Sequence, residues 1–122
     1  MSEGRVARFQ QERTAGNELV FKYAGTNMKR FWTLDGQAYH EGALDAKTKE
    51  LLGLVASLVL RCDDCVTYHT IQCHEAGVTT EEYEETLNIG LLVGGSITIP
   101  HLRRAFAAWQ ELQDPSRSDQ AP

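Results

Sequence analysis

Residues 45–77, "DAKTKELLGLVASLVLRCDDCVTYHTIQCHEAG", decide how this chain folds. The stretch opens on Asp45, a residue type that caps helices by accepting a backbone N–H. Its first turns are charged, and Leu51 to Leu60 are almost wholly apolar, as in a helix buried on most sides. An apolar run of that length is half of the ~20 residues that span a bilayer, so it reads as core. A second helix begins near Cys62 and stops at Gly77, the residue type that most readily takes the left-handed conformation closing a helix. The chain must reverse between Leu60 and Cys62 if these helices are to pack on each other. No Gly or Pro marks that reversal; only Asp63 and Asp64, favoured at the positive end of a helix dipole, point to it.

Outward from this pair the pattern stays helical. Thr79 and Glu82 have the spacing of a capping box and start a helix that runs through "TLNIGLLVGG", 86–95. Gly90, Gly94 and Gly95 either loosen it or let another helix come close. Pro100 is tolerated in the first turn of a last helix, "PHLRRAFAAWQELQ", 100–113. Upstream, 3–23 predicts a helix that Gly16 interrupts, and "TNMKRFWTLDGQAYHEG", 26–42, predicts another with Asn27 as its cap. Trp32, Trp109, Phe31 and Phe106 read as core or interface residues. No period-2 alternation is long enough for a strand. The fold class is therefore all-α: one small helical domain over residues 3–113, followed by a flexible tail at 114–122.

Bulk properties narrow the function. A net charge of −5 argues against a nucleic-acid backbone or an anionic membrane as partner. The N-terminus "MSEGRVARFQQERTAG" has no apolar h-region, so a cytoplasmic location is expected. In a reducing compartment, cysteines at this spacing are catalytic or metal-binding before they are structural, and three is an odd number for a disulfide framework.

The chemistry concentrates in "RCDDCVTYH", 61–69. On a helix starting near Cys62, positions 62, 65, 69 and 73 form one stripe. Cys62 and Cys65, three apart in the first turn, are close enough for a disulfide, and the helix N-terminus stabilises a thiolate there. His69 lies one turn beyond Cys65, where an imidazole can take the thiol proton. At ~1.5 Å rise per residue, Glu50 lies roughly 15 Å back from the reversal and His69 roughly 10 Å forward of it, so the two come to similar height. A carboxylate orienting an imidazole that activates a thiol follows triad logic. Cys73 reads as a buried small apolar residue and His74 as solvent-facing. His40 and His101 have no partner visible in the sequence, and Asp63 and Asp64 read as first-turn acids. Cys62, Cys65, His69 and Cys73 are also soft ligands suited to Zn²⁺, but one straight helix does not readily surround a tetrahedral ion, and no metal site is expected.

Glu50, eleven intervening residues and then "CDDCVTYH" resemble the E-x11-C-x-x-C-x3-H pattern of the alkylhydroperoxidase D-like branch of the carboxymuconolactone decarboxylase family. The similarity extends over about residues 30–112. The resemblance implies a small all-α domain that assembles by helix packing into a homo-oligomer, trimer or hexamer. It implies a thiol-dependent peroxide reductase with Cys65 as the peroxide-attacking cysteine, Cys62 as the resolving cysteine, and His69 and Glu50 as the proton relay. It implies no resident cofactor and an external thiol or lipoyl-type reductant, the latter carried on a lipoylated partner protein. One position departs: Asp64 stands where the best-known member has a histidine. Three other functions share these residues: a general disulfide oxidoreductase, a decarboxylase-type enzyme in which the cysteines are incidental, and a non-enzymatic zinc-binding or redox-sensing scaffold.

Overall fold

A computed structural model describes residues 4–114, and over them the chain is helical from end to end. The order is α1 Arg5–Tyr23, α2 Thr26–Ala38, α3 Ala46–Val59, α4 Asp63–Glu75, α5 Thr80–Gly94 and α6 Ile99–Gln113, with one 3-10 turn at Ser96–Thr98 leading into α6. No strand occurs among the described residues. Most of the expected tail, residues 115–122, lies outside the described residues, as do residues 1–3.

The α3–α4 hairpin is the frame. Asp45 caps α3 by accepting the Thr48 N–H at 2.7 Å. Leu54 and Leu58, one turn apart, are fully buried. The reversal is made by Arg61, whose φ of 60° lies in the left-handed region. Its N–H bonds to the Leu58 carbonyl and that of Cys62 to the Ser57 carbonyl, the paired closure usual at helix ends. A non-glycine residue in that conformation costs about 1–3 kcal/mol, which the two hydrogen bonds and the packing of α4 on α3 offset. The end of α4 repeats the device with Gly77, φ 83°.

α5 packs on α3 and α6 on α4. Gly90 permits the first contact: a Cβ there would lie 2.7 Å from Leu58 Cδ2. The capping box forms as its spacing predicts, with Glu82 N–H on Thr79 and Thr79 N–H on Glu82. At the centre of the core Tyr83 is fully buried and stacks on Trp109 with centroids 4.2 Å apart. Its hydroxyl donates to the Ala105 carbonyl at 3.0 Å and meets the Thr70 hydroxyl at 2.8 Å, so the buried polar atom is satisfied. α1 lies over this layer, with Val6 buried against Ile71 and Ala108. Glu111 accepts the Val6 N–H at 3.0 Å, supplying the partner that the first turn of α1 lacks.

Three expectations are corrected. Gly16 does not interrupt α1: an interior glycine costs about 1 kcal/mol, too little to break a helix of 19 residues. Asn27 is not the cap of α2; Gly25 holds that position, and Asn27 instead accepts from the Arg30 guanidinium. His74 is half-buried rather than solvent-facing, because its ring meets Trp109 edge-on at 5.8 Å. No helix among the described residues is long and apolar enough to cross a membrane.

Candidate redox site

Glu50 and His69 are carried on the facing sides of α3 and α4. Each is only 8% exposed, and His69 Nδ1 lies 2.9 Å from Glu50 Oε1. A carboxylate in that position fixes the tautomer: Nδ1–H donates to Glu50, which leaves Nε2 as the acceptor. The approach depends on Gly53, one turn after Glu50. A Cβ built there would lie 2.6–2.9 Å from Cε1, Nδ1 and Nε2 of His69, so the imidazole rests on bare backbone. Gly53→Ala is expected to push the ring off Glu50 and to cost about 1–3 kcal/mol, the usual range for overpacking. Urea unfolding measures the cost, and the same stability as wild type would mean that the ring relocates freely.

Two residues outside the motif complete the imidazole's surroundings. The Tyr39 hydroxyl, at the C-terminal end of α2, lies 3.4 Å from Nε2. Burial raises the Tyr39 pKa, and Asp35 and Glu50 raise it further, so the phenol stays protonated and donates. Tyr68 meets His69 edge-on at 5.1 Å and carries the Arg13 guanidinium 4.5 Å above its own ring. Sequence reasoning missed Tyr39 and Gly53. A glycine inside the apolar run, three residues after Glu50, was the available signal for the second; nothing in spacing pointed to the first.

Cys62 and Cys65 are joined in a disulfide, their Cα atoms 5.3 Å apart. Cys62 is the N-cap of α4, and its Sγ accepts the Cys65 N–H at 3.2 Å. Cys65 is the more exposed of the two and opens, with His69, onto a cleft of about 540 Å³. That volume falls within the range of small-molecule sites. The opposite wall is α1, through Phe9, Arg13 and Val20, and Asp35 closes one side. Cys73, one turn beyond His69, is fully buried and free; burial pushes its thiol pKa up to about 12.

Asp64 is exposed and borders the cleft, whereas Asp63 turns to α6. His101 Nδ1 donates to Asp63 Oδ1 at 2.8 Å, and Arg104 Nε lies 2.9 Å from Oδ2. Partial burial would raise the Asp63 pKa, but the hydrogen bonds and charges of His101 and Arg104 outweigh it and hold the carboxyl below its usual range. The reading of His101 as partnerless is thereby corrected. Its spacing of three from Arg104 on one face of α6 was the signal for an acid-binding pair. Among the described residues, no group of three or more His, Cys, Asp or Glu is placed to hold a metal ion.

Residues 26–111 match the model of the carboxymuconolactone decarboxylase family. The chain is 32% identical over 85 residues to an uncharacterised protein of Cupriavidus necator, covering 70% of this chain and 75% of that one. Among solved structures it is similar to a Thermotoga maritima protein, with a TM-score of 0.86 and 51% identity over 90% of this chain and 96% of that one. A second structure of that protein, with a TM-score of 0.85 and 49% identity over 93% and 97% of the two chains, describes it as a family member suggested to be involved in antioxidative response. A family protein of Legionella pneumophila follows at TM-score 0.82 and 27% identity, over 88% of this chain and 96% of that one.

Proposed function

Because the chain belongs to the carboxymuconolactone decarboxylase family, and its cysteine pair opens onto a cleft beside a buried carboxylate–imidazole pair, we propose that it is a thiol-dependent peroxide reductase. The observation that carries the proposal is the Glu50–His69 contact one turn from an exposed Cys65. In the reduced protein the long Tyr39 hydrogen bond to His69 Nε2 gives way, the freed lone pair takes the Cys65 proton, and Glu50 stabilises the charge left on the imidazole. The thiolate attacks the terminal oxygen of a hydroperoxide. The O–O bond breaks, Cys65 becomes a sulfenic acid, and the alkoxide takes a proton and leaves as the alcohol. The Cys62 thiol then attacks the sulfenic sulfur, the Cys62–Cys65 bond forms, and water leaves.

An external thiol resets the site by attacking the exposed Cys65 sulfur. Cys62 departs as a thiolate stabilised by the Cys65 N–H and the α4 N-terminus. A second thiol frees Cys65 and completes the external disulfide. The same stabilised leaving group supports the second reading, a disulfide oxidoreductase on this fold. In the first reading the reductant is an external thiol or a lipoyl group on a partner protein, the protein works in the cytoplasm without a resident cofactor, and the chains assemble as a trimer or hexamer.

The test is fully reduced protein with one equivalent of an organic hydroperoxide, followed by intact mass with trapping of sulfenic acid and free thiols. The expected product is a rapid Cys62–Cys65 disulfide in the wild type and a trapped sulfenic acid on Cys65 in Cys62→Ser, with the buried Cys73 unmodified. Slow oxidation spread over all three cysteines would sink the peroxide reading. Stoichiometric Zn²⁺ in protein purified without added metal would favour the scaffold. A decarboxylase activity that survives loss of both Cys62 and Cys65 would favour the decarboxylase.

A further inference from the structure

Lys49 and Glu50 are consecutive on α3, and each holds one side of the arrangement around the imidazole. Glu50 fixes His69 through Nδ1. Lys49 donates to the carbonyls of Ala38 at 2.9 Å and His40 at 2.6 Å, the two residues that flank Tyr39. These charge-assisted hydrogen bonds tie the end of α2 to α3, and the Tyr39 hydroxyl is delivered to His69 Nε2 at 3.4 Å. α2 buries none of its residues, so this tether, more than packing, sets where Tyr39 lies.

An imidazole that donates through Nδ1 has one lone pair to offer, at Nε2. With the cysteines joined, the Tyr39 hydroxyl donates to it. The Cys65 proton must go to the same electrons, so phenol and thiol compete for one acceptor. The phenol keeps its own proton in that competition, because burial, Asp35 and Glu50 all disfavour its ionised form. The other charged and titratable groups around the pair are Tyr68 on α4, Arg13 of α1 above the Tyr68 ring, and Lys49 on the backbone of 38 and 40.

We propose that Tyr39, tethered by Lys49, is a brake on the ionisation of Cys65: it occupies the lone pair of the base and must withdraw before the thiol can give up its proton. The competition follows from the geometry; its bearing on catalysis rests on the redox reading above. As the brake releases, the hydrogen bond from the Tyr39 hydroxyl to Nε2 breaks and the hydroxyl proton stays on Tyr39. The S–H bond of Cys65 then breaks, its proton forms Nε2–H, and a thiolate and an imidazolium beside Glu50 result. Tyr39 and Lys49 act through His69 and are positioning residues. A residue that merely supported the site would slow it when removed, whereas losing this hydroxyl speeds ionisation.

The test is alkylation of reduced protein by iodoacetamide against pH, read at Cys65 by peptide mass, in Tyr39→Phe, Lys49→Ala and Lys49→Arg, each checked for helicity by circular dichroism. Tyr39→Phe removes only the hydroxyl. It is expected to alkylate about three- to tenfold faster at neutral pH, the size of one net hydrogen bond, with the profile displaced to lower pH. An unchanged or slower rate overturns the brake. Lys49→Ala is expected to reproduce the displacement and Lys49→Arg to keep the wild-type profile. In the Tyr39→Phe background, Lys49→Ala is expected to change nothing further. An added displacement there would mean that the lysine charge acts on the base directly, and would overturn the tether. Alkylation involves no peroxide, so failure of the hydroperoxide test leaves the brake standing, and the two readings fail separately.

Discussion

Cys65→Ser is expected to abolish hydroperoxide reduction, with a loss on the order of 10³-fold or more, as when a nucleophile is removed. Serine keeps the volume and one hydrogen at that position but does not ionise at neutral pH, and its oxygen is a far poorer nucleophile toward a peroxide. Cys65 is exposed and the Glu50–His69 contact does not involve its sulfur, so the variant should fold as the wild type does. Cys62→Ser gives the contrast. It should complete the first half-reaction at nearly the normal rate and then stop as a sulfenic acid, because no second thiol is in reach to close the disulfide. Peroxide consumption over many turnovers, alongside the first-turnover burst, separates the two variants. A burst in Cys65→Ser and none in Cys62→Ser would reverse the two roles, and Cys62 has grounds for the attacking one. It lies nearer the helix N-terminus, and its sulfur accepts a backbone N–H. Exposure in the cleft and the spacing to His69 favour Cys65.

Glu50→Gln is expected to slow thiolate formation at neutral pH by about 10²-fold, the lower end of what a positioned base contributes. Glutamine can still accept from His69 Nδ1–H, so the geometry survives while the negative charge does not. The deficit should shrink as pH rises into the range where the thiol ionises without help. Alkylation of reduced protein against pH reads this directly, and equal rates for variant and wild type at every pH would remove Glu50 from the relay. Stability serves as the control. Glutamine keeps an acceptor for Nδ1–H and carries no charge to desolvate, so no large loss of stability is expected. A slow but undiminished fold therefore localises the effect to proton transfer.

The helices were legible because their signals are local. Asp45, the Thr79–Glu82 pair, Gly77 and Pro100 each act within a few residues of their own position, and each lies where its chemistry requires. The pairing of Glu50 with His69 was also legible, for a geometric reason. Rise per residue is constant in a helix, so a short reversal leaves only one height at which the two can meet. Gly16 and Asn27 were misread because their local preferences are worth about 1 kcal/mol each, which the surrounding helix overrides.

From the sequence by itself come the all-helical class, the stripe of Cys62, Cys65 and His69, and the carboxylate that reaches it. The tertiary structure decided the rest. Arg61 makes a left-handed turn without glycine because packing of α4 on α3 outweighs its strain. Gly53 is the floor under an imidazole from another helix. Tyr39 reaches His69 across 30 residues, Asp63 reaches His101 across 38, and α1 becomes the far wall of the cleft. These contacts depend on where one helix lies against another, and that is set by the fit of all their side chains together rather than by any local pattern.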